Sequence, residues 1–169
     1  MSSYIFQSII RDQKVSFTNK LFLWIWHADK IPPHIGVSLD DKYFSLKVSG
    51  KDNGLECSKT LNLALSKGIP LLLVELKSNL SINEISFEFD KYPQAKVGKT
   101  TCLTPICTIL NHPKANQLSE LLISCENEIL NVKGFKLPAN YSQLKNYTAC
   151  DIQKRLQLLT NENRKISIS

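Results

Sequence analysis

Two residues in this sequence have the types and neighbours that nucleophilic chemistry needs. Cys102 stands in Thr100-Thr101-Cys102-Leu103-Thr104-Pro105-Ile106, just ahead of a predicted helix, and His34 opens the strand-like run His34-Ile35-Gly36-Val37-Ser38-Leu39. A thiol becomes a nucleophile when a base takes its proton, and imidazole is the side chain that accepts and returns protons near neutral pH. A helix start supplies unpaired N–H groups and a dipole that favour a thiolate. Cys107 competes for the role: with Thr104 read as N-cap and Pro105 as the first helical residue, it also falls in the first turn. Cys102 is preferred because Leu103 and Ile106 put it at the loop-to-helix transition. Cys125 and Cys150 lie in amphipathic helical patterns and read as packing residues.

The elements that must position this pair follow from the apolar pattern. The first 16 residues read as an irregular or helical lead-in, and Leu21 to Trp26 as a buried strand. Pro32 and Pro33 break the chain, which makes His34 the first residue of the next strand, 34–39. Asp40-Asp41-Lys42 has turn chemistry, and Tyr43 to Val48 alternates as the returning arm of a hairpin. Ser49 to Gly54 reads as a loop, Cys57 to Ser66 has no decisive pattern, and Ile69 to Lys77 is a buried strand. Ser81-Ile82-Asn83-Glu84 is a capping box that starts a helix carrying Ile82, Ile85 and Phe89, with Tyr92-Pro93 ending it.

A turn at Gly98 leads to Cys102 and to a helix running to about Leu110. Asn116 to Val132 reads as one amphipathic helix, and Thr148 to Asp151 starts another with Ile152, Leu156 and Leu159 on one side. Strands come first and helices follow, which is the order of an α+β fold rather than of repeated βαβ units. The expected organisation is a lead-in over 1–20, a core over 21–135 and a C-terminal helical appendage of the same domain over 136–169.

Composition narrows the function classes. The 169 residues are 43% hydrophobic and 21% charged, ordinary values for one globular domain. The apolar runs Leu21 to Trp26 and Ile69 to Val74 fall well short of the ~20 residues that span a bilayer. No secretory leader is legible before residue 20, and five irregularly spaced cysteines fit neither a disulfide framework nor a zinc knuckle, so free thiols and a cytoplasmic setting are expected. No metal or cofactor is expected either: the three histidines form no i, i+4 pair, and Gly98-Lys99-Thr100 has Pro93 where a phosphate loop needs its first glycine. The net charge of +6 is spread along the chain, the most basic stretch being Lys145 to Lys165, and no aromatic-interleaved basic motif of the RNA-binding type is present, which argues against a nucleic-acid partner.

The run His34 to Leu46 and the Thr101-Cys102-Leu103 approach resemble the circularly permuted papain-like hydrolases, among them the NlpC/P60-related, lecithin-retinol-acyltransferase-like and desumoylating isopeptidase groups. The resemblance covers about residues 21–110 and implies that the catalytic His precedes the Cys, which opens a helix packed on antiparallel strands. It implies a Cys102–His34 dyad, an acyl-enzyme, and a peptide, isopeptide, peptidoglycan fragment or lipid ester as substrate. Several of these families carry a second polar group on the returning strand to orient the imidazole. Leu46 is apolar there, and Thr101 stands where an Asn often precedes the Cys. Ser45, Lys47 and Glu75 are the candidate orienters from neighbouring strands, Glu75 first among them because it lies in an otherwise apolar run. The alternative is a non-catalytic binding protein on the same scaffold, with an anionic partner as one form of it.

Overall fold

The computed structural model describes residues 3–168, with side chains as far as Ile166; the outermost residues of the expected lead-in and appendage lie outside the described part. A seven-stranded sheet in the order β1-β7-β6-β2-β3-β4-β5 forms the centre. Its strands are β1 (Ile10–Arg11), β2 (Leu21–Trp26), β3 (His34–Leu39), β4 (Lys42–Lys47), β5 (Gly50–Glu56), β6 (Leu71–Leu76) and β7 (Ile129–Phe135). Neighbours are antiparallel except β1 with β7. Five helices join them, α1 (Cys57–Ser66), α2 (Ile82–Asp90), α3 (Leu103–Ile109), α4 (Leu118–Ser124) and α5 (Ala149–Ile168), so the fold is mixed α+β.

The central strands read as continuous apolar runs because both faces of the sheet are covered. One face carries Leu21, Leu23 and Ile25 of β2 with Ile35 and Val37 of β3, and packs against α2, α3 and α4. The other carries Phe22, Trp24, Tyr43, Leu71 and Leu73, and packs against α1 and Phe17. The lead-in is tied into this body: Tyr4 and Phe6 are buried in the first cluster, and β1 pairs with β7.

Three expectations are corrected. Ser49 to Gly54 is not a loop: Val48 and Ser49 make a tight turn, Lys47 pairs with Gly50, at φ 142°, and β5 runs back along β4. Its polar composition suits an edge strand rather than a loop. Asn116 to Val132 is not one helix, because after α4 and a 3-10 turn (Glu126–Glu128) the chain extends as β7. The buried strand β6 needs partners on both sides for its backbone N–H and C=O groups, and β-branched Ile129 and Val132 suit the pleat. Finally, α3 starts earlier than Thr104. Thr101 Oγ1 accepts the Leu103 N–H at 3.1 Å while Thr104 Oγ1 accepts the Thr101 N–H at 2.9 Å, so Cys102 is the N-cap. Pro105 then sits inside the first turn, where its missing N–H costs no helical bond.

The capping boxes hold as expected. Ser81 and Glu84 exchange hydrogen bonds at the start of α2, and Thr148 and Asp151 do so before α5. Gly36 of β3 is there for a different reason: a Cβ would stand 2.3 Å from the Tyr43 hydroxyl oxygen, which in turn accepts the Trp26 Nε1–H at 2.8 Å. Gly36→Ala is therefore expected to displace the Tyr43 ring and lower stability by about 1–3 kcal/mol. Urea unfolding checks this, and an unchanged midpoint would mean the ring has room to move.

Candidate functional site

The β3–β4 ladder runs only from Val37↔Phe44 to Leu39↔Lys42, so the first half of β3 is unpaired with β4. Cys102 approaches β3 here, where the backbone amides of Ile35, the residue after His34, of Cys102 itself and of Leu103 pull its thiol pKa down. Cys102 and His34 both line a cleft of about 700 Å³. Its walls are the β2–β3 loop (Lys30, Ile31, Pro33), the start of β3, the end of β4 and α5.

Both residues line this cleft from sequence-distant elements, and neither is charged at rest. Burial raises the Cys102 thiol above the usual thiol range against the lowering pull of its three N–H groups. Burial lowers His34 to about 4, with Asp52 pulling it up and Lys47 and His27 pushing it further down. The resting pair is a neutral thiol and a neutral imidazole. His34 Nε2 is out of solvent and has no hydrogen-bond partner among the described residues. Alkylation of Cys102 by iodoacetamide is accordingly expected to be slow at neutral pH and to keep climbing above the ordinary thiol value of 9.0. A plateau below pH ~8.5 would reveal a preformed thiolate.

The other sequence-derived candidates fall elsewhere. Cys107 is turned into the core, its thiol directed at the Ala115 carbonyl at 3.6 Å and pushed up to about 12 by burial. Glu75 is buried among Asn131, which donates to it, and Lys20 at 3.8 Å. Along β2, Phe22 pairs with Glu75 and Trp26 with His34, a separation of roughly 13 Å at ~3.3 Å per residue. Glu75 therefore does not orient His34. Glu75→Ala is expected to leave Cys102 alkylation unchanged and to cost about 1–3 kcal/mol of stability, because Asn131 loses its acceptor in a half-buried site. Thermal melting and mass-resolved labelling of one sample read both.

Ser45 and Lys47 do lie on the His34 side of the sheet, and what they hold is Asp52. Ser45 Oγ donates to Asp52 Oδ2 and Lys47 Nζ to Asp52 Oδ1, each at 2.7 Å. Asp52 is the nearest thing to a third residue, acting on His34 through charge, and Lys47 offsets it. Sequence reading missed it because it lies in the polar run taken for a loop. It also missed Trp26 and the α5 residues Ile152, Arg155, Leu156 and Leu159 as cleft lining; only the i, i+4, i+7 spacing of the apolar three marked that side of α5.

Among the described residues no three His, Cys, Asp or Glu side chains converge as metal ligands, and no helix is long and apolar enough to cross a membrane. Comparison with protein-family models, curated proteins and solved structures finds no match for this chain.

Proposed function

We propose that the chain is a thiol hydrolase of permuted papain-like architecture, acting on an amide, isopeptide or ester carbonyl in the cleft between β3, β4 and α5. The observation that carries this reading is that Cys102 and His34 line one cleft, with the Ile35 backbone amide near enough to pull the thiol pKa down. Backbone N–H groups near a thiol stabilise the negative charge that develops as the S–H bond breaks.

In this reading the neutral His34 takes the Cys102 proton as sulfur attacks the carbonyl carbon. The S–C bond forms, the carbonyl oxygen becomes an oxyanion, and collapse of the intermediate expels the leaving group, which receives the proton from His34. Water, deprotonated by His34, then cleaves the thioester and restores the thiol. The neutral resting pair makes this general-base catalysis rather than attack by a standing thiolate. Candidate substrates are a peptide, a peptidoglycan fragment or a lipid ester, each presenting an acyl group to the apolar walls Ile35, Leu46, Val48 and Leu103.

Trapping tests the reading. After brief mixing with an activated ester and acid quenching, the acyl group is expected on the tryptic peptide that contains Cys102 in wild type and on no peptide in Cys102→Ala. Acylation at the exposed Cys150 alone, with Cys102 unmodified, would defeat the proposal. A second reading, a binding protein that uses the same cleft without turnover, draws on a specific observation: His34 Nε2 has no partner to fix the ring. It predicts saturable ligand binding with no acylated Cys102.

A further inference from the structure

The cleft owes one of its walls to a helix that buries little of its surface. Of the described side chains of α5, Leu156 alone is buried. Ile152, Leu156, Leu159 and Ile166 recur along the side that lines the cleft, opposite Leu46, Val48 and Leu103. The residue before its capping pair is fixed firmly: Tyr147 is buried, and its hydroxyl oxygen accepts the Leu118 N–H at 2.7 Å. Past Thr148 the helix is tied back to the body by Gln153, whose Oε1 accepts the Gly98 N–H at 2.6 Å. Gly98 belongs to the turn closed by the Lys96↔Thr100 bridge, directly ahead of Thr101 and Cys102.

We propose that α5 is a lid over the Cys102–His34 cleft, hinged at Thr148 and latched through Gln153 to the turn that delivers Cys102. An element with little buried surface, a fixed base and a polar latch at Gln153 opens at low cost relative to the sheet. When it swings away, the apolar walls at Ile35, Leu46 and Leu103 are uncovered together with the thiol. A ligand's apolar part then takes the place of the α5 stripe, and closure brings Arg155 and Leu156 onto it. The lid goes beyond the hydrolase reading, since it gates the cleft whether or not turnover follows.

Labelling of Cys102 tests it without any substrate. In a Cys150→Ser background, each protein is reacted with iodoacetamide and with a bulky fluorescein maleimide at one pH, and Cys102 modification is read by peptide mass. Gln153→Ala, a change at the surface of α5, is expected to raise the bulky reagent's rate at least about fivefold and leave the small reagent's rate nearly unchanged, because only the large one requires the lid to open. Hydrogen exchange is expected to be at least about tenfold faster in α5 than in β2 and β6. Equal acceleration of both reagents would mean that the 96–100 turn had loosened instead and would overturn the lid. So would a bulky-reagent rate unchanged by the variant, or α5 amides as protected as those of β2.

Discussion

Cys102→Ala is expected to lower kcat/KM on an activated ester by about 10³-fold or more, whereas Cys107→Ala leaves it close to wild type. The contrast follows from placement rather than residue type. Cys102 is partly exposed in the cleft, where nearby backbone amides pull its thiol pKa down; Cys107, five residues further along the sequence, is turned into the core against Ala115. Truncating Cys107 removes a packed sulfur and costs stability, about 1 kcal/mol for so small a side chain, without touching the reacting atoms. Steady-state kinetics with both variants, normalised to folded protein by circular dichroism, decides the matter. Residual activity in Cys102→Ala equal to wild type would remove Cys102 from the chemistry, and a loss confined to Cys107→Ala would transfer the role.

That contrast also marks where sequence was informative. Cys102 and His34 were legible because each sits at a punctuated boundary: Pro33 fixes the start of β3, and Thr101 with Thr104 fixes the start of α3. The hairpin of β3 and β4 and the two capping boxes were legible for the same reason, as local hydrogen bonding decides them. The charged neighbour of His34 was not. Glu75 stood out by being charged in an apolar run, but its buried position is explained by Asn131 and Lys20 from other elements. Asp52 stood in a Gly-flanked polar run whose strand character depends on pairing with β4. Likewise Ile129 to Val132 fits a helix by spacing and becomes β7 only because β6 needs a partner on that side. What pairing across the sheet decides, a single stretch of sequence does not carry.

Proton linkage ties His34 to stability. Its folded pKa of about 4 lies below the ordinary 6.5, chiefly through desolvation by burial. Between those values the unfolded chain binds a proton that the native state refuses, so native stability falls as pH drops through this window and His34 contributes no further loss below about 4. The full loss is up to about 3 kcal/mol. His34→Gln keeps a polar side chain and removes the titration. It is expected to show a flatter stability profile, gaining on wild type from pH 6.5 down to about 4. His27 shifts in the same direction but is present in both proteins and cancels in the comparison. Urea unfolding across this range gives the difference directly, and parallel profiles would mean that His34 is protonated normally in the fold. On the proposed hydrolase reading the same group sets the acid limb of turnover: kcat/KM is expected to rise as His34 loses its proton near pH 4, since only the neutral imidazole can take the thiol proton. His34→Gln is expected to lose about 10²-fold or more in rate together with that limb. A variant that lost rate but kept the limb would assign the limb to another group and leave His34 a purely structural part of the cleft.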